Sequence, residues 1–251
     1  MYDYVMILSL DTSTTVCSVA LHQPDGTLLG CYELFTERTA SSRLTTLVQD
    51  VVTHAGHALS DLSAIAVAKG PGSYTGLRIG VSTAKGLCMA LDKPLIGINT
   101  LAAMTEQVRL FYPPGVDASG RSAAGRIGAV NSTDTLFCPM IDARRMEVYC
   151  AVYRQDGDEL QPTTARILDE LAFGDLLAIT PVVFFGDGAD KARLVLTHPN
   201  AQFPPVQIRP SARTVGTLAI KAYAAGEFED LVTFEPYYLK EFRTTAPKQK
   251  V

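Results

Sequence analysis

Apolar positions change their spacing several times along the chain, and each change marks an element. Val5 to Leu10 is an apolar run that stops at Asp11, as a strand would. Val16 to Leu21 then alternates, with Cys17, Val19 and Leu21 on one face, and a turn at Pro24-Asp25-Gly26 leads into another strand through Tyr32. From Ser42 the period lengthens. Leu44, Leu47, Val48, Val51, Val52 and Ala55 recur at helical intervals, with Ser41 or Ser42 as a cap and Gly56 near the end. Ala64 to Leu91 reads as strand, turn and long helix, followed by a strand over Leu95 to Ile98 and a helix from Thr100 to about Leu110. Pro113 to Asp134, rich in Pro, Gly, Ser and Ala, reads as a flexible linker close to a lobe boundary.

The second half repeats the first. Leu10-Asp11 through Asp25-Gly26 aligns without a gap against Ile141-Asp142 through Asp156-Gly157, with an apolar-Asp opening and an Asp-Gly turn at the same offset. A chance hairpin match and an ancient duplication both produce this pattern, and the shared register favours duplication. A helix near Ile167 to Phe173 is predicted next, then a strand from Pro181 to Phe185 ending in Gly186-Asp187-Gly188, a helix over Ala189 to Leu196 and a last helix over Ala212 to Ala225. Strands and helices in this order predict a two-lobed α/β protein.

Composition narrows the function classes. At 251 residues and 47% hydrophobic content the chain suits one large or two modest globular domains. No run approaches the roughly 18 to 20 apolar residues of a membrane span, and the start MYDYVMILSLDTS carries no basic leader, so a cytoplasmic protein away from membranes is expected. The five cysteines form no CxxC pair, which argues against a zinc site or a disulfide. A net charge of −4 argues against a surface that grips nucleic acid by itself; any RNA role needs a partner.

The candidate chemistry gathers at loops. In Gly70-Pro71-Gly72-Ser73-Tyr74-Thr75-Gly76, several amides could converge at a helix start and cradle an anion, or the glycines could simply let that helix pack close to a sheet. The third glycine of a dinucleotide fingerprint would fall at Thr75 but comes at Gly76, and a P-loop would need Lys and Ser/Thr where Leu77 and Arg78 stand. Asp11-Thr12-Ser13 is either a phosphate contact or a turn in which Asp11 bonds its own backbone. Gly186-Asp187-Gly188 could line a cleft, or be a turn with Asp187 or Asp190 near a helix start. His54 and His57 share a helix face without an acidic companion, and no HExxH or Ser/His/Asp set is recognisable, so neither metal nor peptidase chemistry is expected. Lys240, Arg243, Lys248 and Lys250 make a basic tail, read as solvated.

Two helix faces carry a different message. At 100° per residue, Leu77, Gly80, Val81, Ala84, Cys88 and Leu91 share one stripe, the core side. Behind them stand Ile79, Ser82, Thr83, Gly86, Met89 and Ala90, with no charge among them, and behind the apolar stripe of the earlier helix stand Thr45, Thr46, Gln49 and Thr53. A solvent face would show Lys and Glu. Small, uncharged residues suit close approach by another helix pair, because no charge has to be stripped of water. Either the chain's own second lobe covers this face or another subunit does; the second is expected.

ILSLDTSTTVCSVAL, AVAKGPGSYTGLRIGVSTAKGL, PLIGINTLAAM, IDARRMEVY and the closing PYYLK span most of the chain, and together they resemble the TsaB (YeaZ) family of tRNA threonylcarbamoyladenosine biosynthesis proteins. The resemblance implies a two-lobed actin-like ATPase (ribonuclease H-like) fold with mixed sheets and internal duplication. It implies a first lobe over 1–104 plus 211–226, a second over 105–210 and an extended tail over 227–251. It further implies a noncatalytic scaffold whose two uncharged helix faces meet the equivalent pair of the paralogue TsaD, or of a second copy in a homodimer when TsaD is absent. TsaE joins the larger complex, and tRNA is met only through it. ATP or ADP at the partner junction stays open, with Asp11, Thr12, Ser13, Gly70, Gly72, Ser73, Thr75 and Gly76 as its candidate contacts. Two rivals remain: a small-molecule kinase of the same superfamily using Asp142, beside Arg144-Arg145, and a stand-alone dimeric binding module.

Overall fold

The computed structural model describes residues 5–35, 40–109, 111 and 135–240. The linker reading of Pro113 to Asp134 and the basic tail beyond Lys240 lie outside them.

Five strands form the first sheet: β1 (Ile7–Asp11), β2 (Cys17–His22), β3 (Leu28–Leu34), β4 (Ala64–Gly70) and β5 (Leu95–Asn99), in the order β3-β2-β1-β4-β5. Short turns make β1, β2 and β3 antiparallel, while α1 (Ala40–His54) and α2 (Tyr74–Leu91) are long enough to return β4 and β5 parallel to β1. Helix α3 (Thr100–Arg109) follows. The second sheet contains β6 (Leu136–Asp142), β7 (Glu147–Tyr153), β8 (Glu159–Ile167), β9 (Val182–Phe185) and β10 (Ala201–Gln202), in the order β10-β9-β6-β7-β8. Read from its hairpin edge, each sheet runs third, second, first, fourth, fifth strand. The duplication is therefore one of topology, and the gapless alignment slips by one across the hairpin: Asp11 pairs with Ser18, but Asp142 pairs with Val148.

The stretch read as a helix near Ile167 to Phe173 is instead the end of β8 and a turn, and the helix there is α4 (Gly174–Leu177). Its apolar residues have helical spacing, yet only Leu168 and Phe173 enter the core while Ile167 and Leu171 face solvent. Helix α5 (Ala189–Val195) and helix α6 (Ala212–Ala225) follow the predicted pattern. No helix among the described residues is long and apolar enough to cross a membrane.

Both faces of the first sheet are covered. Leu8, Leu10, Cys17, Val19 and Val67 meet Leu44, Val48 and Val52 of α1 and Val81, Ala84 and Cys88 of α2. On the other face Ile7, Ala64 and Ala66 lie under Val215 and Ala219 of α6. Helix α3 connects the two sheets, its Leu101, Met104 and Val108 packing with Phe137, Ile141 and Phe185. After α6 the chain straps the first sheet: Glu229 bridges Leu95 on the edge strand, Phe234 joins the core, and Tyr237 N donates to Lys69 O at 2.7 Å. The strap then reaches the second sheet, where Lys240 pairs with Glu147.

Candidate functional site

Helix α2 starts where Ser73 Oγ accepts from Gly76 N at 3.3 Å, and it stops at Asp92, whose left-handed backbone (φ 52°) ends the helical run. Its inner stripe is buried as predicted, apart from the half-buried Leu91. On its outer side Ser82, Gly86, Met89 and Ala90 are exposed, Met89 to 74%, and Ile79 and Thr83 are half-buried. Helix α1 starts at Ala40, so Ser41 and Ser42 fall in its first turn and not before it. Its Thr45, Thr46, Gln49 and Thr53 are exposed, and Gln49 Nε2 donates to Thr53 Oγ1 at 2.9 Å. The second sheet does not cover this surface. The charged residues of α2 stand at its margins: Lys85 Nζ donates to Phe234 O at 3.0 Å, and the Arg78 guanidinium lies 5.5 Å from the centre of the Tyr74 ring; α1 adds the exposed Arg43 and the half-buried Asp50.

Beneath the start of α2 lies the Asp11 turn. Asp11, Thr12 and Ser13 are buried, and Ser13 donates to Asp11 Oδ1 from both N (2.9 Å) and Oγ (2.6 Å). Asp11 Oδ2 is buried without a hydrogen-bond partner among the described residues. Burial raises the Asp11 carboxyl from 3.8 to about 6; the two Ser13 bonds oppose that rise and nearby Glu33 adds to it. Thr12 Oγ1 donates to Gly76 O at 2.7 Å, and Ser73 N donates to Ser13 O at 2.6 Å. A Cβ on Gly72 or Gly76 would overlap the carbonyl oxygens of Ser13 and Thr12 respectively. These two glycines and the amide of Ser73 thus serve contact between helix and hairpin, while the amide of Gly76 is taken by the Ser73 cap. The Ser73 and Thr75 side chains stay at the surface, and Gly70 (φ 116°) is closed off by the strap at Tyr237. Tyr238 stacks on Tyr74 with ring centres 4.8 Å apart, a contact no local pattern announces.

The equivalent turn of the second sheet is open. Asp142 Oδ1 accepts from Arg144 N (2.5 Å) and Lys191 Nζ (2.7 Å), and Asp187 Oδ1 accepts from Asp142 N at 2.9 Å. Asp187 therefore reaches across to the hairpin from directly before the N-cap of α5, Gly188, which makes no side-chain cap, and Asp190 stands in the first turn of α5, so both acids lie near a helix start as read. Lys191 was missed by sequence reasoning because its partners lie more than forty residues away, at separations of 44 to 49. One oxygen of the Asp142 carboxylate, Oδ1, is thus taken by internal bonds. His54 Nδ1 lies 2.6 Å from the Tyr32 hydroxyl and His57 sits beside Asp61, so each histidine has its own neighbour. Among the described residues, no group of three His, Cys, Asp or Glu converges to hold a metal ion.

The family model for TsaD, tRNA N6-adenosine threonylcarbamoyltransferase, matches residues 34–124. A transferase of that name from Jannaschia sp. is 47% identical over 73 residues, covering 29% of this chain and 20% of its own length. The solved structure of YeaZ from Pseudomonas aeruginosa superposes with a TM-score of 0.72 at 28% identity, covering 94% of this chain and all of that one. The Escherichia coli tRNA threonylcarbamoyladenosine biosynthesis protein TsaB is 31% identical over 245 residues, 93% of this chain and 94% of that protein. Identity at this level over nearly the full length of both proteins, on a shared two-sheet fold, makes this chain a member of the TsaB (YeaZ) family.

Proposed function

We propose that this protein is a noncatalytic subunit in the formation of N6-threonylcarbamoyladenosine in tRNA, and that it docks its α1–α2 face on the cytoplasmic transferase TsaD to stabilise the active arrangement. One observation carries the reading: behind their core stripes, α2 presents an uncharged second side and α1 a run of exposed Thr45, Thr46, Gln49 and Thr53, and no described part of the chain buries them. The match of the TsaD model to residues 34–124 spans both helices, which supports pairing like with like across a pseudo-twofold axis. The same face takes a second copy of this chain when TsaD is absent. TsaE joins the larger assembly, and tRNA is met within it. ATP or ADP at the junction, near Asp11 to Ser13 and the Gly70 to Gly76 loop, serves assembly and not chemistry. We divide the chain into a first lobe of 1–104 with 211–226, a second of 105–210 and a tail of 227–251. The kinase reading is not favoured, since its one evident acid, Asp142, is already bonded to Lys191 and to Arg144 N.

Co-expression with the TsaD of the same cell tests this. A one-to-one complex that modifies tRNA, with each protein inactive alone, is the expected result. Failure to co-purify, or phosphorylation of a sugar or acyl acid by the isolated chain at a useful rate, overturns it.

A further inference from the structure

The hairpin turn between β6 and β7 holds two adjacent arginines in the left-handed region, Arg144 at φ 68° and Arg145 at φ 51°. That region crowds the Cβ of any residue but glycine, and such conformations persist where the surroundings over-determine them and function uses them. Here the surroundings do so. Lys191 Nζ donates to Asp142 Oδ1, to Arg145 O at 2.6 Å and to Glu147 O at 3.1 Å, while Asp142 and Asp187 bond the backbone on the other side. The main chain is pinned and both side chains are exposed.

The charges around the turn are not balanced. Asp142 is paired with Lys191 and Glu147 with Lys240, whereas neither arginine has a carboxylate partner among the described residues. Lys240 also lies 5.8 Å from the centre of the Tyr149 ring, and Arg144 acts electrostatically on the same tyrosine, so these two cations flank one ring beside the turn. At the matching turn of the first sheet, Thr12 and Ser13 are buried under α2. The short α5 leaves the second turn uncovered.

Resting on the tRNA-modification reading above, we infer that the Arg144-Arg145 turn is a phosphate-backbone contact through which this chain holds RNA while seated on its partner. Guanidinium forks match phosphate oxygens in pairs, and a pinned backbone spares the entropy of ordering them. With a net charge of −4 the whole protein repels a polyanion, so the contact works only as an addition to RNA already held by the complex.

The test uses the complex of this chain with TsaD, unmodified tRNA, and the double variant Arg144→Gly, Arg145→Gly. Glycine accepts both backbone angles, so the isolated variant should melt at the same temperature or higher and still join TsaD. Filter binding between 50 and 200 mM salt should show weaker tRNA retention and a salt slope shallower by about 1.4 to 1.8 for two lost phosphates. Arg144→Lys with Arg145→Lys should recover most of that slope. Unchanged retention and slope in a double-glycine complex that still assembles overturns the inference and leaves the functional reading intact. Loss of TsaD association in that variant means the arginines read a protein carboxylate, which also overturns it. Wild-type chain that neither joins TsaD nor supports tRNA modification sinks the functional reading and the inference with it.

Discussion

Three glycines of α2 should respond to substitution with opposite signs. Gly86 is exposed in mid-helix, and a Cβ built there meets nothing within 4 Å. Replacing it with Glu removes the helix penalty of glycine, a gain of about 0.5 kcal/mol, or a rise of about 1 to 2 °C in melting temperature for a chain of this size. The same change puts an unpaired carboxylate at the centre of the proposed docking face. Taking such a charge out of water costs about 3 kcal/mol or more, which weakens association at least a hundredfold. Gly76 and Gly80 point the other way: a Cβ on either would overlap Thr12, at its backbone oxygen and its hydroxyl respectively. Alanine there forces helix and hairpin apart and should cost about 1 to 3 kcal/mol. Thermal melts of the isolated variants, with sedimentation of each against TsaD and against itself, separate the two effects. Gly86→Glu protein that melts normally and associates with wild-type affinity would refute the docking face; Gly76→Ala protein of unchanged stability would refute the close-packing account of the loop.

Other expectations follow from the same geometry. Ser82→Glu, also exposed and outside the core stripe, should reproduce the loss of pairing with little change in stability, as sedimentation and melting would report. Stability against pH should change in Asp11→Asn. Asp11, raised from 3.8 to about 6, lets the folded state bind a proton first, so it adds stability as pH falls below 6. His22, lowered from 6.5 to about 4 by burial and by Arg213, lets the unfolded state bind first and loses stability as pH falls from 6.5 toward 4. The two oppose each other in the wild type. Asp11→Asn should uncover the histidine, losing about 2 to 3 kcal/mol between pH 7 and 4.5; parallel pH profiles of variant and wild type in denaturant titrations would contradict this. Phe234→Ala, which empties the site where the strap enters the first core, should cost about 3 kcal/mol and speed hydrogen exchange at Glu229 and Tyr237, whose amides bond Leu95 and Lys69. Stability within 1 kcal/mol of wild type would show that the strap is held from elsewhere.

Some of this was legible without coordinates. Long amphipathic elements declared themselves: α6 covers Ala212–Ala225 as read, and the inner stripe of α2 was assigned residue by residue. The uncharged outer face of α2 was visible too, since a missing charge is a local property. Periodicity reports only which side of an element is apolar, and so it failed at Ile167 to Phe173, where helical spacing occurs in a strand end and a turn. What each side meets depends on residues distant in sequence. Only the tertiary structure decided that the second sheet leaves the α1–α2 face open, that Ser13 and Thr12 rather than solvent meet the glycine loop, that the strap seals Gly70, and that Lys191 pins the Arg144-Arg145 turn. The repeat stands between the two cases. Its opening Asp and closing turn were readable in register, but strand order and the one-residue slip across the second hairpin are set by inter-strand hydrogen bonds, which linear spacing does not encode.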